Sequence, residues 1–181
     1  MPTCTLCCEG CGTQKSKTLS ASEFAVVLAN GKLWKGCSKC RQKTIWRLAV
    51  PPRPEPQVRR ELGPRRVLVI DDDSNTLRIL QLMLRPKDYT VTTAPSAEEA
   101  IAQLQTNDFD VIVSDIRMPG FDGQSLFRFI AAFLPSYARK VVFLTGDQSE
   151  RTLRFLRECG CPYTFKPIDL AELQSLIREV G

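Results

Sequence analysis

Three sets of residues in this chain could do chemistry, and none of them uses histidine, which the sequence lacks. The first is Asp71-Asp72-Asp73, three consecutive carboxylates directly after the apolar run Val67-Leu68-Val69-Ile70. Like charges so close repel, so solvent, a cation, or a nearby Lys or Arg must offset them. A hard divalent cation with oxygen ligands suits such a set. The second is dispersed: Asp115 follows Val111-Ile112-Val113-Ser114, Thr145 follows Val141-Val142-Phe143-Leu144, and Lys166 follows Tyr163-Thr164-Phe165. Each polar residue closes an apolar run, which is where a parallel sheet presents its ligand-binding edge. The third set is cysteine. Of eight, six fall within the first 40 residues, as the C-x-x-C pairs Cys4/Cys7, Cys8/Cys11 and Cys37/Cys40.

Clustered thiol pairs in a reducing compartment read as metal ligands before disulfides. Two pairs make one tetrahedral Zn²⁺ site, here all-thiolate. Cys37/Cys40 has no downstream competitor and supplies one half. Cys8/Cys11 is favoured for the other, because Gly10 and Gly12 allow a tight ligand loop; Cys4/Cys7 is the alternative pair. Between the halves, Ser20-Ala21-Ser22-Glu23 is a capping box that opens a short helix, ended by Asn30-Gly31. Leu33-Trp34 and Ile45-Trp46 look like short strands flanking the second knuckle. About 45 residues cannot build a sufficient core, and metal is the usual remedy. Residues 4–48 resemble a zinc ribbon in knuckle spacing and glycine placement. Lys and Arg surround this module, with Trp34 and Trp46 interleaved. Nucleic-acid binding by phosphate contact and base stacking is therefore one expectation. Protein docking or scaffolding is the preferred one, since so small a unit needs its tryptophans as core.

Charge divides the chain as cysteine does. Residues 1–66 carry 13 Lys+Arg against 4 Asp+Glu, and residues 67–181 carry 12 against 16. A basic front and an acidic back predict two units with different partners. The expected organisation is a Cys4 module over 1–50, a Pro-rich linker over 51–64, and a second domain over 65–181. Pro51-Pro52-Arg53-Pro54-Glu55-Pro56 favours extended polyproline II.

From residue 65 strand and helix alternate. Expected strands are Val67–Ile70, Tyr89–Thr93, Val111–Ser114, Val141–Leu144 and Tyr163–Phe165. Expected helices are Ser74–Leu84, one opening at the capping box Ser96-x-x-Glu99, about Gln124–Leu134, about Glu150–Glu158, and Asp169–Val180. Asp73 reads as a helix-entry acid. Arg151, Arg154 and Arg157 form a stripe that is either solvated or a docking face. Cys159 and Cys161 read as structural thiols, poorly placed for an unstrained disulfide. Five βα units predict an α/β fold: a doubly wound, five-stranded parallel sheet covered on both faces.

The polar residues then assemble. Ile70-Asp71-Asp72-Asp73, Val113-Ser114-Asp115-Ile116-Arg117-Met118-Pro119-Gly120, Leu144-Thr145-Gly146 and Phe165-Lys166-Pro167 together resemble the receiver domain of two-component response regulators. The resemblance covers residues 66–181 and implies a flavodoxin-like sheet of strand order 2-1-3-4-5. It implies that Asp115 is the phosphoacceptor, and that Asp71, Asp72 and Asp115, with the Arg117 backbone carbonyl, hold Mg²⁺. It implies that Lys166 pairs with the phosphoryl group, that Thr145 is the switch hydroxyl, and that Tyr163 turns inward on phosphorylation. A cis Lys166-Pro167 bond is also implied. Gly146 and Asp88 are mild departures from the family pattern.

The function expected is a phosphorylation-controlled signalling switch, not a turnover enzyme. A histidine kinase or phosphotransfer protein would donate, and a downstream protein would dock on the fourth helix, fifth strand and fifth helix. Alternatives are a nucleic-acid regulator with the ribbon as output, and a redox- or metal-responsive sensor working through the cysteine cluster. The absence of a signal-like start or a long apolar run predicts a cytoplasmic protein. The sequence running out at the fifth helix suggests no C-terminal output domain.

Overall fold

Val67–Ile70 carries no polar alternation because both of its faces are covered, and none of its four side chains is more than 1% exposed. The computed structural model describes residues 3–18, 32–41, 43–48, 63–85 and 89–180. The chain divides into two compact units, Met1–Glu55 and Pro56–Gly181.

The first unit is an antiparallel sheet of β1 (Thr3–Cys8), β2 (Gln14–Thr18), β3 (Lys32–Gly36) and β4 (Lys43–Leu48), in the order β2-β1-β4-β3. The strands expected at Leu33-Trp34 and Ile45-Trp46 are present as β3 and β4. The β1–β2 hairpin was not anticipated, because Gln14-Lys15-Ser16-Lys17-Thr18 carries no apolar face for a pattern to reveal. Each hairpin, β1–β2 and β3–β4, carries one C-x-x-C turn, and each turn ends on a left-handed residue just past its second cysteine. These residues are Gly12 at φ 69° and Arg41 at φ 56°. Gly10 serves by its size instead: a β-carbon there would stand 3.3 Å from the Thr44 hydroxyl and 3.6 Å from Cys40 Sγ. Leu6, Leu33 and Trp46 are buried. Trp46 is therefore core and not a stacking surface, which corrects one part of the nucleic-acid expectation. The helix expected from Ser20 and the polyproline stretch at residues 51–56 lie outside the described residues.

The second unit runs β5 (Arg65–Ile70), α1 (Ser74–Leu84), β6 (Tyr89–Ala94), α2 (Ala97–Thr106), β7 (Val111–Asp115), α3 (Gly123–Phe133), α4 (Pro135–Ala138), β8 (Val141–Thr145), α5 (Glu150–Cys159), β9 (Tyr163–Phe165) and α6 (Leu170–Val180). All strand pairings are parallel, in the order β6-β5-β7-β8-β9. This is the expected 2-1-3-4-5 doubly wound sheet. One element differs. Where one helix was expected to reach Leu134, α3 ends at Phe133, and a single turn, α4, begins at Pro135, whose ring cannot continue the preceding helix.

One face of the sheet packs Val67, Val69, Val111, Val113, Val142 and Leu144 against Leu77, Leu80 and Leu84 of α1 and Leu173 and Ile177 of α6. Each such side chain, once buried, contributes about 1.5–3 kcal/mol. On the other face Phe143 meets Phe127 of α3 and Phe155 of α5, edge to face, with ring centroids 5.9 and 5.4 Å away. Helix starts follow the sequence signals. Asp73 caps α1 by accepting from the Asn75 and Thr76 amides, and Ser96 caps α2 through the Glu99 amide.

Candidate functional site

Parallel register brings the strand ends level with one another. Ile70 pairs with Ser114, Asp115 with Leu144, and Thr145 with Phe165. Asp71, Asp115, Thr145 and Lys166 therefore reach one edge of the sheet, although 95 residues separate Asp71 from Lys166.

At that edge Lys166 Nζ lies 2.7 Å from Asp71 Oδ2 and 2.7 Å from Asp115 Oδ2. The other oxygen of each carboxylate is fixed by backbone. Asp71 Oδ1 accepts the Asp73 amide at 2.9 Å; Asp115 Oδ1 accepts the Ile116 and Arg117 amides at 2.6 and 3.1 Å. Each group thus turns one oxygen to the chain and one to the lysine. Lys166 is placed by its own amide, which donates to the Thr145 carbonyl at 2.9 Å, and a cis bond joins it to Pro167.

Asp71 and Asp115 are buried and Asp72 is exposed. One oxygen from each lies within 4.8 Å of the others. Burial raises the Asp71 carboxyl above its usual range, and the hydrogen bond from Lys166 only partly offsets this. Burial also opposes the charge on Lys166, but its bonds to Asp115 and Asp71 outweigh that and hold the amine above its usual range. Three carboxylates answered by one ammonium leave a net negative pocket of hard oxygen donors, a set that fits a divalent cation such as Mg²⁺.

Thr145 is fully buried, and its hydroxyl accepts the Asp147 amide at 3.1 Å. Tyr163 is 38% exposed and stands edge-on to Phe165. Arg117, expected to matter through its carbonyl, also contributes a side chain: its Nε lies 2.7 Å from Asp147 Oδ2. Arg117, Thr152 and the Ser149 amide together hold the Asp147 carboxyl well below the usual range.

Sequence reasoning missed two residues here. Asp147 belongs to the loop that ends on the Ser149 cap of α5, a signal that marks the helix start but not the carboxylate's partner. Gly123 packs so tightly that a β-carbon would fall 2.1 Å from the Asp115 carbonyl oxygen. A glycine at the first position of a helix already capped by Asp122 is a legible hint of such an approach.

In the first unit Cys8, Cys11, Cys37 and Cys40 converge, with all four sulfurs within 4.8 Å of one another. Cys8 and Cys40 are 3.9 Å apart, Cys11 and Cys37 3.7 Å. The Thr13 hydroxyl and amide draw the Cys11 thiol down to about 6, and the Cys40 amide lowers Cys37. Soft donors in this number and spacing fit a structural Zn²⁺. Cys7, next to Cys8 on the strand and so on its opposite face, directs its sulfur to the Gly12 carbonyl instead. The side chain of Cys4 lies outside the described residues. Cys159 and Cys161 are thiols, half-buried and buried, with no disulfide. Among the described residues, no helix is long and apolar enough to cross a membrane.

Comparison with known proteins bears on the second unit. Residues 67–178 match the family model described as the response regulator receiver domain. Over 118 residues the chain is 35% identical to two-component response regulator ORR26 of Oryza sativa subsp. japonica, and 34% identical to two-component response regulator ARR11 of Arabidopsis thaliana. Over 114 residues it is 33% identical to transcriptional regulatory protein ZraR of Salmonella typhimurium. The matches take in 64%, 64% and 62% of this chain but 20%, 22% and 25% of those proteins, so the chain spans about a fifth to a quarter of the relatives' length. Among solved structures, response regulator protein TrrA of Thermotoga maritima, in complex with Mg²⁺-BeF, superposes with a TM-score of 0.58 at 26% identity. That match covers 65% of this chain and 99% of TrrA. A putative response regulator of Chloroflexus aurantiacus gives 0.60 at 29% identity, covering 65% and 98%.

Proposed function

The chain belongs to the response regulator receiver family through residues 67–178, and we propose that this unit is a phosphorylation-controlled switch with the Asp115 carboxylate as acceptor. The carrying observation is the bridge from Lys166 Nζ to both Asp71 and Asp115 at 2.7 Å. An acceptor oxygen held beside a fixed ammonium has its charge partner in place before the phosphoryl group arrives.

The donor is a phosphohistidine on a kinase or phosphotransfer protein, or a small acyl phosphate. The bond from phosphorus to the donor breaks as a new bond forms to an Asp115 oxygen, and the imidazole or carboxylate leaves with the electron pair. Asp71, Asp72 and Asp115, with the Arg117 backbone carbonyl, would hold Mg²⁺, which when bound neutralises charge on the transferring oxygens. The protein's own part is to position and stabilise. Lys166 pairs with the phosphoryl oxygens, and the Thr145 hydroxyl donates to them. The product adds about 1.5–2 negative charges by analogy with other phospho-residues. Thr145 moving toward that charge leaves room for Tyr163 to turn inward. This biases the surface of α5, β9 and α6, on which a downstream protein docks. Hydrolysis resets the switch: water attacks phosphorus, gives up a proton, and Asp115 leaves as carboxylate. The unit acts by changing state, not by turning over an external substrate.

For the first unit the reading is a structural Zn²⁺ held by Cys8, Cys11, Cys37 and Cys40 in a ribbon-like module that docks protein. Burial of Trp46 favours this over base stacking. A cytoplasmic setting, with reduced thiols, suits both sites.

The test is incubation with acetyl phosphate and Mg²⁺ followed by intact-mass measurement. One added phosphoryl group is expected on the wild type and none on Asp115→Asn. An unchanged wild-type mass overturns the acceptor assignment.

A further inference from the structure

Two loops of the acceptor site are tied together outside the carboxylate–lysine bridge. The Arg117 amide donates to Asp115 Oδ1 at 3.1 Å, while its side-chain Nε reaches Asp147 Oδ2 at 2.7 Å. The Asp147 amide in turn donates to Thr145 Oγ1 at 3.1 Å. Hydrogen bonds therefore run from the acceptor carboxylate through Arg117 and Asp147 to the switch hydroxyl. A branch runs into α5. Asp147 also accepts from the Ser149 amide at 2.9 Å, the Ser149 hydroxyl at 3.0 Å and the Thr152 hydroxyl at 2.5 Å.

We infer that Arg117 and Asp147 form a resting-state clasp that positions Thr145, and that a phosphoryl group on Asp115 competes with Asp147 for the Arg117 guanidinium. The inference rests on Asp115 being the acceptor. Three features carry it. The Arg117 side chain is 69% exposed against 15% for Asp147, so the arginine is the arm that can move. Asp147 keeps Ser149 and Thr152 after Arg117 leaves, so release strands no buried carboxylate. A phosphoryl group offers more charge and more acceptor oxygens than a carboxylate, and planar guanidinium matches it in a two-point contact. Once Arg117 has crossed over, the Asp147 side chain is held only by Ser149 and Thr152. The loop can then shift with Thr145 toward the phosphoryl group, the Asp147 amide still donating to the Thr145 hydroxyl. Arg117 becomes a ligand of the phosphoryl oxygens; Asp147 is a positioning residue.

The test measures, on the full chain, the affinity for beryllofluoride with Mg²⁺ and the decay of the acetyl-phosphate-derived phosphoryl group. Asp147→Asn removes the competitor's charge and leaves one carbonyl oxygen, which can accept from the Ser149 amide or from the Thr152 hydroxyl. It should tighten beryllofluoride binding and lengthen phosphoryl lifetime, each by on the order of tenfold, the equivalent of one charge-assisted contact. Arg117→Ala should do the reverse, Arg117→Lys should restore part of the loss, and the double variant should behave as Arg117→Ala alone. A structural role would move both single variants in the same direction; that result, or no change in either, overturns the clasp. A wild type that takes up neither phosphoryl nor beryllofluoride refutes the acceptor reading itself, and the clasp with it. Urea midpoints on every variant separate these results from unfolding.

Discussion

Gly123 stands against the backbone of Asp115 so closely that a β-carbon at 123 would lie 2.1 Å from the Asp115 carbonyl oxygen and 2.9 Å from Ile116 Cα. The Gly123 amide also donates to the Ile116 carbonyl at 3.0 Å. The start of α3 is thus pressed onto the loop that carries the acceptor, and no side chain fits between them. Gly123→Ala must push α3 or that loop away. The expected cost is about 1–3 kcal/mol, the range for overpacking, read as a lower urea midpoint. Because the displaced atoms belong to Asp115, phosphoryl uptake from acetyl phosphate should fall as well. Gly146→Ala is the control, since a β-carbon there meets nothing within 4 Å. Equal stability of Gly123→Ala and wild type would show that the contact relaxes without consequence.

The contrast between these two glycines shows where sequence reading reaches its limit. Gly146 stood out as a departure from a pattern, yet it has open space around it. Gly123 went unremarked: its place at the start of a helix capped by Asp122 hints at a close approach, but which backbone it meets, eight residues back, is fixed by the path of the chain after Pro119-Gly120, which no local periodicity encodes. The strands were legible because burial on both faces leaves unbroken apolar runs such as Val111-Ile112-Val113. The converging Asp71, Asp115, Thr145 and Lys166 were legible because parallel strands must end on one side. The β1–β2 hairpin was not, since β2 is held by backbone pairing to β1 and carries mainly polar side chains. The Arg117–Asp147 pair was not, since each residue alone reads as an ordinary loop charge.

Lys166 ties alkaline stability to the site. Its folded-state amine lies above the unfolded value of 10.5. A raised amine contributes stability that is present in full below the unfolded value and is lost as pH rises through the folded one. Lys166→Met removes that contribution and leaves two buried carboxylates facing no cation. Near neutral pH the variant should be less stable by about 1–3 kcal/mol. Urea midpoints from pH 7 to 11.5 should show a steady gap that narrows above 10.5. A gap unchanged across that span would mean the bridge contributes nothing to folding.

Asp147 does the same on the acid side, with the opposite sign. Its carboxyl is held below the unfolded value of 3.8, first by Arg117 and then by Thr152 and Ser149. A depressed carboxyl contributes stability that is present above the unfolded value and is lost as pH falls through the folded one. Wild type should therefore exceed Asp147→Asn in thermal midpoint near neutrality, and the two should converge as pH drops below 3.8. Salt should weaken the effect only in part, because Thr152 is buried and screened poorly. Parallel acid-denaturation profiles for the two proteins would refute the assignment.

The thiol site makes its own selection among six cysteines. Cys7 and Cys8 are neighbours on β1 and point to opposite faces, so one strand cannot lend both to the same metal. Cys8 Sγ lies 3.9 Å from Cys40 Sγ, whereas Cys7 Sγ is turned to the Gly12 carbonyl at 3.6 Å. Zinc bound tetrahedrally through Cys8, Cys11, Cys37 and Cys40 needs only small closure of these sulfurs toward ligand distances of about 2.3 Å. Metal analysis should give one zinc per chain for wild type, Cys4→Ser and Cys7→Ser, and close to none for serine at any of the other four. With zinc removed by a chelator, the β1–β4 unit should lose its ordered tryptophan environment, because among the described residues its buried side chains are Leu6, Leu33 and Trp46 and the site's own Cys8 and Cys37. Trp46 is buried only while that sheet is folded, so a red shift of tryptophan emission on chelation, reversed by added zinc, reports the coupling directly. Retention of a full zinc equivalent in Cys8→Ser with loss in Cys7→Ser would transfer the site to the other pair.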